Sequence, residues 1–338
     1  MSLNTVRGVN NIGAADAVTK AYIRKNEVFA DAFNYFMYDG RQKIQPEQLR
    51  ELDSTEIAIL LNEKDTKDKT NKEKEASEQK MVQKYRDLLK TATIMEDGEA
   101  TYVLLGIENQ TEVHYAMPVR NMLYDAMQYN QQVTEIAEKH KGKKGGKRQQ
   151  KISTGEFLSG FYKNNKLIPV ITLVLFFNPG EWDGPRSLFD MLDISNPIFK
   201  KYAQDYKIHI ISPKEILESD LKKFSSSLRE VIGCIKYSND KNKLAAFIQD
   251  NPRMNIEVEA ARVIEVITHT HIKREEVDDM GNVNMCKAIQ EMIQDGRDEG
   301  RVQLLVTLIQ SGDISLQRAA ALMNMTPEEF QEKSKMIS

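Results

Sequence analysis

Residues 87 to 110 read DLLKTATIMEDGEATYVLLGIENQ, and this stretch decides the fold. At its centre lies Asp97-Gly98, a dipeptide typical of two-residue hairpin turns, because both central positions of a type I′ turn need positive φ. Apolar residues dominate on both sides of it. With residues 97 and 98 in the turn, residues that face each other have numbers summing to 195. The sequence therefore predicts a β-hairpin in this register.

The register brings three polar side chains together at the open end of the hairpin. Because 87 and 108 sum to 195, Asp87 faces Glu108, and opposed residues on antiparallel strands share a face with Cβ atoms about 4.5–5.5 Å apart. Gln110 shares that face, since side chains alternate along a strand. One alternative is a solvated hairpin face whose acidic residues keep an edge soluble. Another is a bulge that moves the two carboxylates to opposite faces.

A divalent cation is the natural partner of this carboxylate pair, because facing carboxylates otherwise repel each other. Mg²⁺ favours one or two carboxylates together with waters and a substrate phosphate, and we expect Mn²⁺ to substitute for it. Such an ion lowers the pKa of a bound water and withdraws charge from a phosphodiester, so no histidine or serine nucleophile is required. The hairpin therefore predicts a metal-dependent nuclease.

Stretches in and around the hairpin are similar to one known family. They are residues 29–34, 85–89, 103–110, 116–120, 124–125, 167–175 and 182–185. Together they resemble the Rpn family of recombination-promoting nucleases and transposase-like proteins, within the PD-(D/E)XK nuclease superfamily, over roughly residues 20 to 215. The resemblance implies an α/β fold with a restriction-endonuclease-like core: a helix, a mixed central sheet with a β-hairpin, flanking helices, and then an α-helical C-terminal region.

The resemblance also implies roles for individual residues. Asp87 would bind the metal, Glu108 would be the second carboxylate, and the backbone carbonyl of Ile107 would also reach the ion. Gln110 stands where many relatives have lysine, and Arg86 stands at the motif's proline. An amide can orient the attacking water or bind the metal, but it cannot neutralise charge on a pentacovalent phosphate.

Asp31 is a further candidate metal ligand, from the first predicted helix. It lies between Phe29 and Phe33. The alternative is that Asp31 is simply part of the polar side of an amphipathic helix.

Composition is compatible with an intracellular enzyme. The chain has 338 residues and a formal net charge of −3, so it can bury one substantial core and carry a second, smaller unit. Cys234 and Cys286 lie far apart with no companion Cys or His spacing, which favours a reducing compartment over a zinc module. Neither a transmembrane run nor a signal peptide is evident. We therefore expect a cytoplasmic protein with no membrane partner.

The remaining patterns predict the other elements of an α/β domain. We expect a helix from Ala14 to Tyr38 that stops at Asp39-Gly40, a first strand within residues 44–61, a charged insertion at 62–80 and a helix from about Val119 to Lys139. The apolar run at 170–177 indicates a strand buried on both faces, and residues 208–211 are a second strand candidate. Ser212-Pro213-Lys214-Glu215 has the pattern of a capping box that begins a helix.

A basic loop follows the helix that ends near Lys139. Residues 139–151 contain seven Lys/Arg and three glycines. Clustered cations bind a phosphate backbone by releasing condensed counterions, so the loop is a candidate DNA contact; a solvated linker is the alternative. It lacks the spacing of a phosphate-cradling Walker loop. The candidate DNA-binding residues are Lys141, Lys143, Lys144, Lys147 and Arg148.

The C-terminal part, residues 216–338, is predicted to be helical and charged, after a nuclease-like domain at 1–215. Its last stretch reads as two short helices, with Thr326 capping the second, similar to a helix-turn-helix. A lone helical pair is more often a packing or dimer element, so a homo-oligomer through this region is one expectation. His269 and His271 face different sides of a helix and are predicted to be surface residues.

The first hypothesis is a Mg²⁺-dependent endonuclease that hydrolyses double-stranded DNA at Asp87, Glu108 and Gln110. A second is a catalytically weak nuclease fold that binds DNA or serves in assembly; Gln110 favours it. A third is an RNA nuclease, because the metal chemistry does not depend on the sugar. His114 and Tyr115 lie just past the site and would touch substrate or simply end a strand.

Overall fold

The fold is α/β, built on a mixed five-stranded sheet. The computed structural model describes residues 3–52, 87–96, 99–142, 152–249, 251–270 and 277–337. The sheet has the order β1-β2-β3-β4-β5. Its strands are β1 (Arg50–Glu51), β2 (Leu88–Glu96), β3 (Glu99–Gln110), β4 (Val170–Phe176) and β5 (His209–Ile211).

Helices cover both faces of this sheet and form most of the C-terminal part. Among the described residues, the first five are α1 (Leu3–Ile23), α2 (Asn26–Tyr38), α3 (Met117–Gly142), α4 (Thr154–Ser159) and α5 (Pro197–Lys200). The other six are α6 (Leu228–Tyr237), α7 (Lys241–Gln249), α8 (Val258–Thr268), α9 (Met285–Gln310), α10 (Leu316–Leu322) and α11 (Pro327–Ile337).

The hairpin register predicted from the sequence is confirmed. β2 and β3 are antiparallel, and their pairs run from Glu96 opposite Glu99 to Leu88 opposite Ile107. Every pair sums to 195, so no bulge interrupts the ladder. The turn residues 97 and 98 lie outside the described residues, as does the predicted charged insertion at 62–80.

β3 is the central strand, and the direction of pairing changes there. It is antiparallel to β2 and parallel to β4, which in turn is parallel to β5. β4 is buried along most of its length, as predicted from its apolar run. The run can be apolar throughout because helices lie on both sides of the strand.

The predicted helix from Ala14 to Tyr38 is two helices, which corrects the sequence interpretation. α1 already begins at Leu3, and the break lies at Arg24-Lys25. The buried ammonium of Lys90 donates to the Arg24 carbonyl at 2.6 Å and to Asn26 Oδ1 at 2.6 Å. This contact comes from β2, so the pattern of the helix itself does not contain it. The predicted stop is confirmed, since Asp39 and Gly40 both have positive φ.

The predicted capping box at residues 212–215 is wrong. The segment forms a turn, in which the amides of Glu215 and Ile216 donate to the Ser212 carbonyl, and a 3-10 helix follows at Glu218–Lys223. The Glu215 carboxylate pairs with Arg186 instead of capping a helix. The predicted first strand is reduced to Arg50–Glu51 within the described part of residues 44–61.

The C-terminal part contains helices and one small sheet. β6 (Asn255–Glu257) and β7 (Asn282–Asn284) pair antiparallel, which the prediction of an all-helical region missed. Side chains of α6 and α8 share one hydrophobic core with those of α1 and α2. The predicted domain boundary at residue 215 therefore separates helices that share one core. The division into two domains stays a prediction.

The last three helices, α9 to α11, enclose a small core of their own around Val302, Leu305 and Phe330. Thr326 caps α11 as predicted: its hydroxyl accepts from the Glu329 amide, and Glu329 accepts from the Thr326 amide. The helical pair is thus completed by a third helix. Among the helices in the described ranges, none is long and apolar enough to cross a membrane.

Candidate active site

Glu108 lies near the end of the central strand, on the face of the sheet that α3 covers. Its side chain is completely buried, with 0 % exposed, and Arg120 Nη2 of α3 lies 3.3 Å from Oε2. Burial acts to lower the pKa of Arg120, but Glu108, Tyr124 and Asp87 together raise that pKa above its ordinary value. The first turns of α3 therefore hold a cation against the buried carboxylate.

Asp87 occupies the position just before β2, one step beyond the last pair of the ladder. Its Oδ1 lies 2.9 Å from Lys20 Nζ, and its side chain is 9 % exposed. Its Oδ2 accepts a 2.9 Å hydrogen bond from the backbone amide of Asn109. Asp87 is therefore fixed by both the adjacent strand and helix α1.

Asp87 and Glu108 both raise the pKa values of Arg120 and Tyr124. Burial raises the pKa of Tyr124, both carboxylates raise it further, and Arg120 opposes them. Tyr124 and Arg120 are one turn apart on α3. Asp87 and Glu108 thus lie at the same end of the hairpin, where both act electrostatically on Arg120 and Tyr124.

A polar contact between α1 and the hairpin completes this end of the sheet. Asn109 Nδ2 donates to Thr19 Oγ1 at 2.6 Å and to Asp16 Oδ1 at 3.3 Å. Lys20 Nζ bridges Asp16 Oδ2 and Asp87 Oδ1, both at 2.9 Å. Sequence analysis missed this set. The only local signal was that positions 16, 19 and 20 share one face of a helix.

Gln110 and Ile107 belong to the same stretch of β3. Gln110 is the last residue of the strand and is half-buried; its carbonyl accepts from the Phe177 amide. The Ile107 side chain lies in the main hydrophobic core, and its backbone lies between Leu88 of β2 and Leu173 of β4. A metal contact through the Ile107 carbonyl stays a prediction.

Asp31 is engaged elsewhere, in the connection before α6. Its Oδ1 accepts from the amide and hydroxyl of Ser225, and its Oδ2 accepts from the amide and hydroxyl of Ser226, at 2.6–2.9 Å. These four hydrogen bonds satisfy a buried carboxylate without a cation. The described contacts of Asp31 therefore give it a structural role, and they do not join it to Asp87 or Glu108.

Other predicted contact residues lie around the two ends of α3. His114 is half-buried before the helix, where burial and Arg120 lower the pKa of its imidazole. Tyr115 is exposed and donates to Asp183 at 3.1 Å. Lys141 is exposed in the last turn of α3, whereas Lys143, Lys144, Lys147 and Arg148 lie outside the described residues. His269 is exposed at the end of α8, as predicted, and His271 is not described.

The inner face of α3 continues with polar side chains beyond Arg120. Asp125 Oδ1 accepts from the Thr172 hydroxyl of β4 at 2.6 Å, and its Oδ2 accepts from the Tyr206 hydroxyl at 2.5 Å. Asn121 is fully buried, and neither atom of its amide has a hydrogen-bond partner. The surface between α3 and the sheet is therefore unusually polar for a buried interface.

Comparisons with protein-family models, with curated proteins and with solved structures found no match for this chain. The site must accordingly be interpreted from its own chemistry. Across the described ranges, no group of three or more His, Cys, Asp and Glu side chains is placed to hold a metal ion. The donor set at the hairpin is smaller: two carboxylates, which is the number that Mg²⁺ commonly takes from protein.

Proposed function

We propose that this protein is a metal-dependent endonuclease that hydrolyses double-stranded DNA, with a restriction-endonuclease-like core and of the recombination-promoting type. The observation that supports it best is the hairpin register, whose last pair, Leu88 opposite Ile107, lies one step before Asp87 and the completely buried Glu108. An ordinary sheet gains nothing from two carboxylates there. A nucleic-acid hydrolase needs such a pair.

The residues present fit a hard divalent cation by their donor chemistry. Asp87 and Glu108 would hold Mg²⁺ or Mn²⁺, with the Ile107 carbonyl as a further oxygen ligand. When bound, such an ion supplies an acidified water and withdraws charge from the scissile phosphate. Both carboxylates already lie beside cationic side chains.

The protein's own residues would do the positioning. Arg120 holds the Glu108 carboxylate against α3 at 3.3 Å, and the Asn109 amide holds Asp87 at 2.9 Å. Gln110 would orient the attacking water through its side-chain amide. Lys141 and the basic residues after it would contact the DNA backbone, because such contacts supply most of the sequence-independent affinity.

A second candidate function is a catalytically weak nuclease fold that binds DNA or takes part in assembly. The observation that favours it is the ion pairing of the site: Lys20 lies against Asp87 and Arg120 against Glu108. The positive charges of Lys20 and Arg120 can balance the two carboxylates in place of a metal ion. Gln110 contributes no charge of its own.

The experiment that separates the two candidates is plasmid nicking by purified protein. Wild type, Asp87→Ala and Glu108→Ala would be incubated with Mg²⁺, Mn²⁺, Ca²⁺ or EDTA. The proposal predicts nicking with Mg²⁺ or Mn²⁺ that is lost in both variants. Intact plasmid in every metal, together with equal DNA binding by all three proteins, would overturn the nuclease and support the second candidate. Glu112→Ala, an exposed carboxylate just beyond β3, serves as the matched control.

A further inference from the structure

We infer that Lys20 of α1 is a phosphate-binding residue of this site, an assignment that rests on the proposed function. The negative charge that grows on the phosphoryl oxygens during hydrolysis is stabilised by donors already in position. Gln110 is neutral. A cation from another element would add to the charge that the metal ion withdraws from the phosphate, and α1 supplies one.

The position of Lys20 is set by two ion pairs and by the anchoring of the residue before it. Its ammonium lies 2.9 Å from Asp16 Oδ2 and 2.9 Å from Asp87 Oδ1. The next residue toward the N-terminus, Thr19, is buried and accepts from Asn109 at 2.6 Å. This part of α1 is thereby bonded to β3, through Asn109, and to Asp87, the residue just before β2. Little further ordering of this side chain would be needed when DNA binds.

Exposure distinguishes Lys20 from the other described cation at the site. The Lys20 side chain is 41 % exposed, whereas the Arg120 side chain is 29 % exposed and lies against the buried Glu108. An ammonium carries three donors, and two of those of Lys20 point to Asp16 and Asp87. The third remains for an oxygen arriving from solvent. Lys20 is thus placed to hold Asp87 and a phosphate at once.

The reaction balances without any proton leaving Lys20. A water oxygen forms the new bond to phosphorus, and the bond from phosphorus to the leaving sugar oxygen breaks. One water proton ends on that leaving oxygen, which gives a phosphate monoester and an alcohol. Lys20 stays an ammonium throughout and acts only by charge and hydrogen bonding.

The first test measures binding of full-length protein to a DNA duplex in EDTA, where cleavage does not occur, over a range of salt concentrations. Each phosphate contact contributes about 0.9 to the slope of log K against log salt. We expect Lys20→Ala to lower that slope by about one contact and Lys20→Arg to retain it. The control is Lys25→Ala, because Lys25 is also ion-paired, to Glu259 at 3.0 Å, but in a contact with the C-terminal part.

Melting temperatures separate this role from a structural one. A purely structural Lys20 would make Lys20→Ala lower the melting temperature while leaving the salt slope of the remaining folded protein unchanged, and that result would overturn the inference. A lowered slope in Lys20→Ala alone, with slower Mg²⁺-dependent nicking than in Lys25→Ala, would support it. Wild type that neither binds nor cuts DNA would overturn the proposed function and the inference together.

Discussion

The two faces of the central sheet are packed by different chemistry. On the face covered by α1 and α2, side chains from β3 and β4 such as Leu105, Ile107 and Leu173 join one large hydrophobic core. On the face covered by α3, Glu108 and Thr172 point instead at a helix that presents Arg120 and Asp125. The face under α1 and α2 is therefore mainly apolar, whereas the face under α3 combines these buried polar contacts with two smaller apolar clusters, around Leu104 and around Val174.

This difference distinguishes the residues that stabilise the fold from those that are candidates for chemistry. Apolar burial contributes roughly 25 cal/mol for each Å² removed from water, whereas a buried carboxylate must be compensated by a partner. The polar face therefore contributes less to folding for the same area. Residues kept there at that cost are the natural candidates for chemistry.

The largest expected loss of stability comes from a substitution on the apolar face. Phe33→Ala removes a fully buried ring of α2 and should lower the free energy of unfolding by about 3–5 kcal/mol, through lost burial and a cavity. Urea denaturation would measure it. Phe36→Ala, on the same helix but partly exposed, is the control and should cost clearly less. Equal losses in the two variants would contradict the core described for this face.

Arg120→Met should have the next largest effect, because it leaves Glu108 buried without its arginine. Breaking a buried ion pair from one side costs about 3–5 kcal/mol, more than the pair itself contributes. Partial exposure of Arg120 places this variant at the lower end of that range. Adding Glu108→Gln should restore most of the stability, and a double-mutant cycle in urea would measure the coupling. Simple additivity would show that the two side chains do not interact.

Asp125→Ala should cost about 2 kcal/mol, since the hydroxyls of Thr172 and Tyr206 both lose a charged acceptor. The loss should be smaller when Thr172→Val is already present, because one of those donors is then gone. Thermal unfolding of the two single variants and the double variant would test it. No coupling between them would argue against the polar network on this face.

The smallest effect is a pH dependence, and it tests Glu230, a buried carboxylate of α6 on the apolar side. Burial raises the pKa of Glu230 above its ordinary value, although Asn251 and Arg253 act against the shift. A raised folded pKa contributes stability that is present below the unfolded pKa and is lost as pH rises through the folded pKa. Glu230→Gln should therefore gain stability relative to wild type as pH rises from acidic to neutral, as measured by urea denaturation. A constant difference would contradict the shift.

The hairpin could be predicted because its determinants are local. The dipeptide Asp97-Gly98 predicts a two-residue turn and the apolar residues on both sides predict strands, so the pairing of Leu88 with Ile107 follows by counting. The ends of helices with a local signal, such as Asp39 and Thr326, were found in the same way. The burial of β4 and the helices on both sides of the sheet followed from its apolar run, whereas the mixed sheet was implied by the family resemblance.

Contacts between elements distant in sequence could not be predicted. The break before α2 is stabilised by Lys90 of β2, and the expected capping residue Glu215 pairs with Arg186 instead. Lys20 joins Asp87 only because α1 packs across the end of the hairpin. In each case a tertiary partner competes with the local pattern, and a single sequence does not reveal that partner.

The length of α3 sets a distance between the hairpin site and the start of the basic segment. Arg120 lies in its first turn and Lys141 in its last, and a rise of 1.5 Å per residue separates them by about 30 Å. Since stacked base pairs are 3.4 Å apart, a duplex lying along the helix covers that distance with about nine base pairs. On the proposed function, a duplex shorter than this would reach one end of α3 but not both, so the length of the helix would set the shortest duplex that contacts both sites.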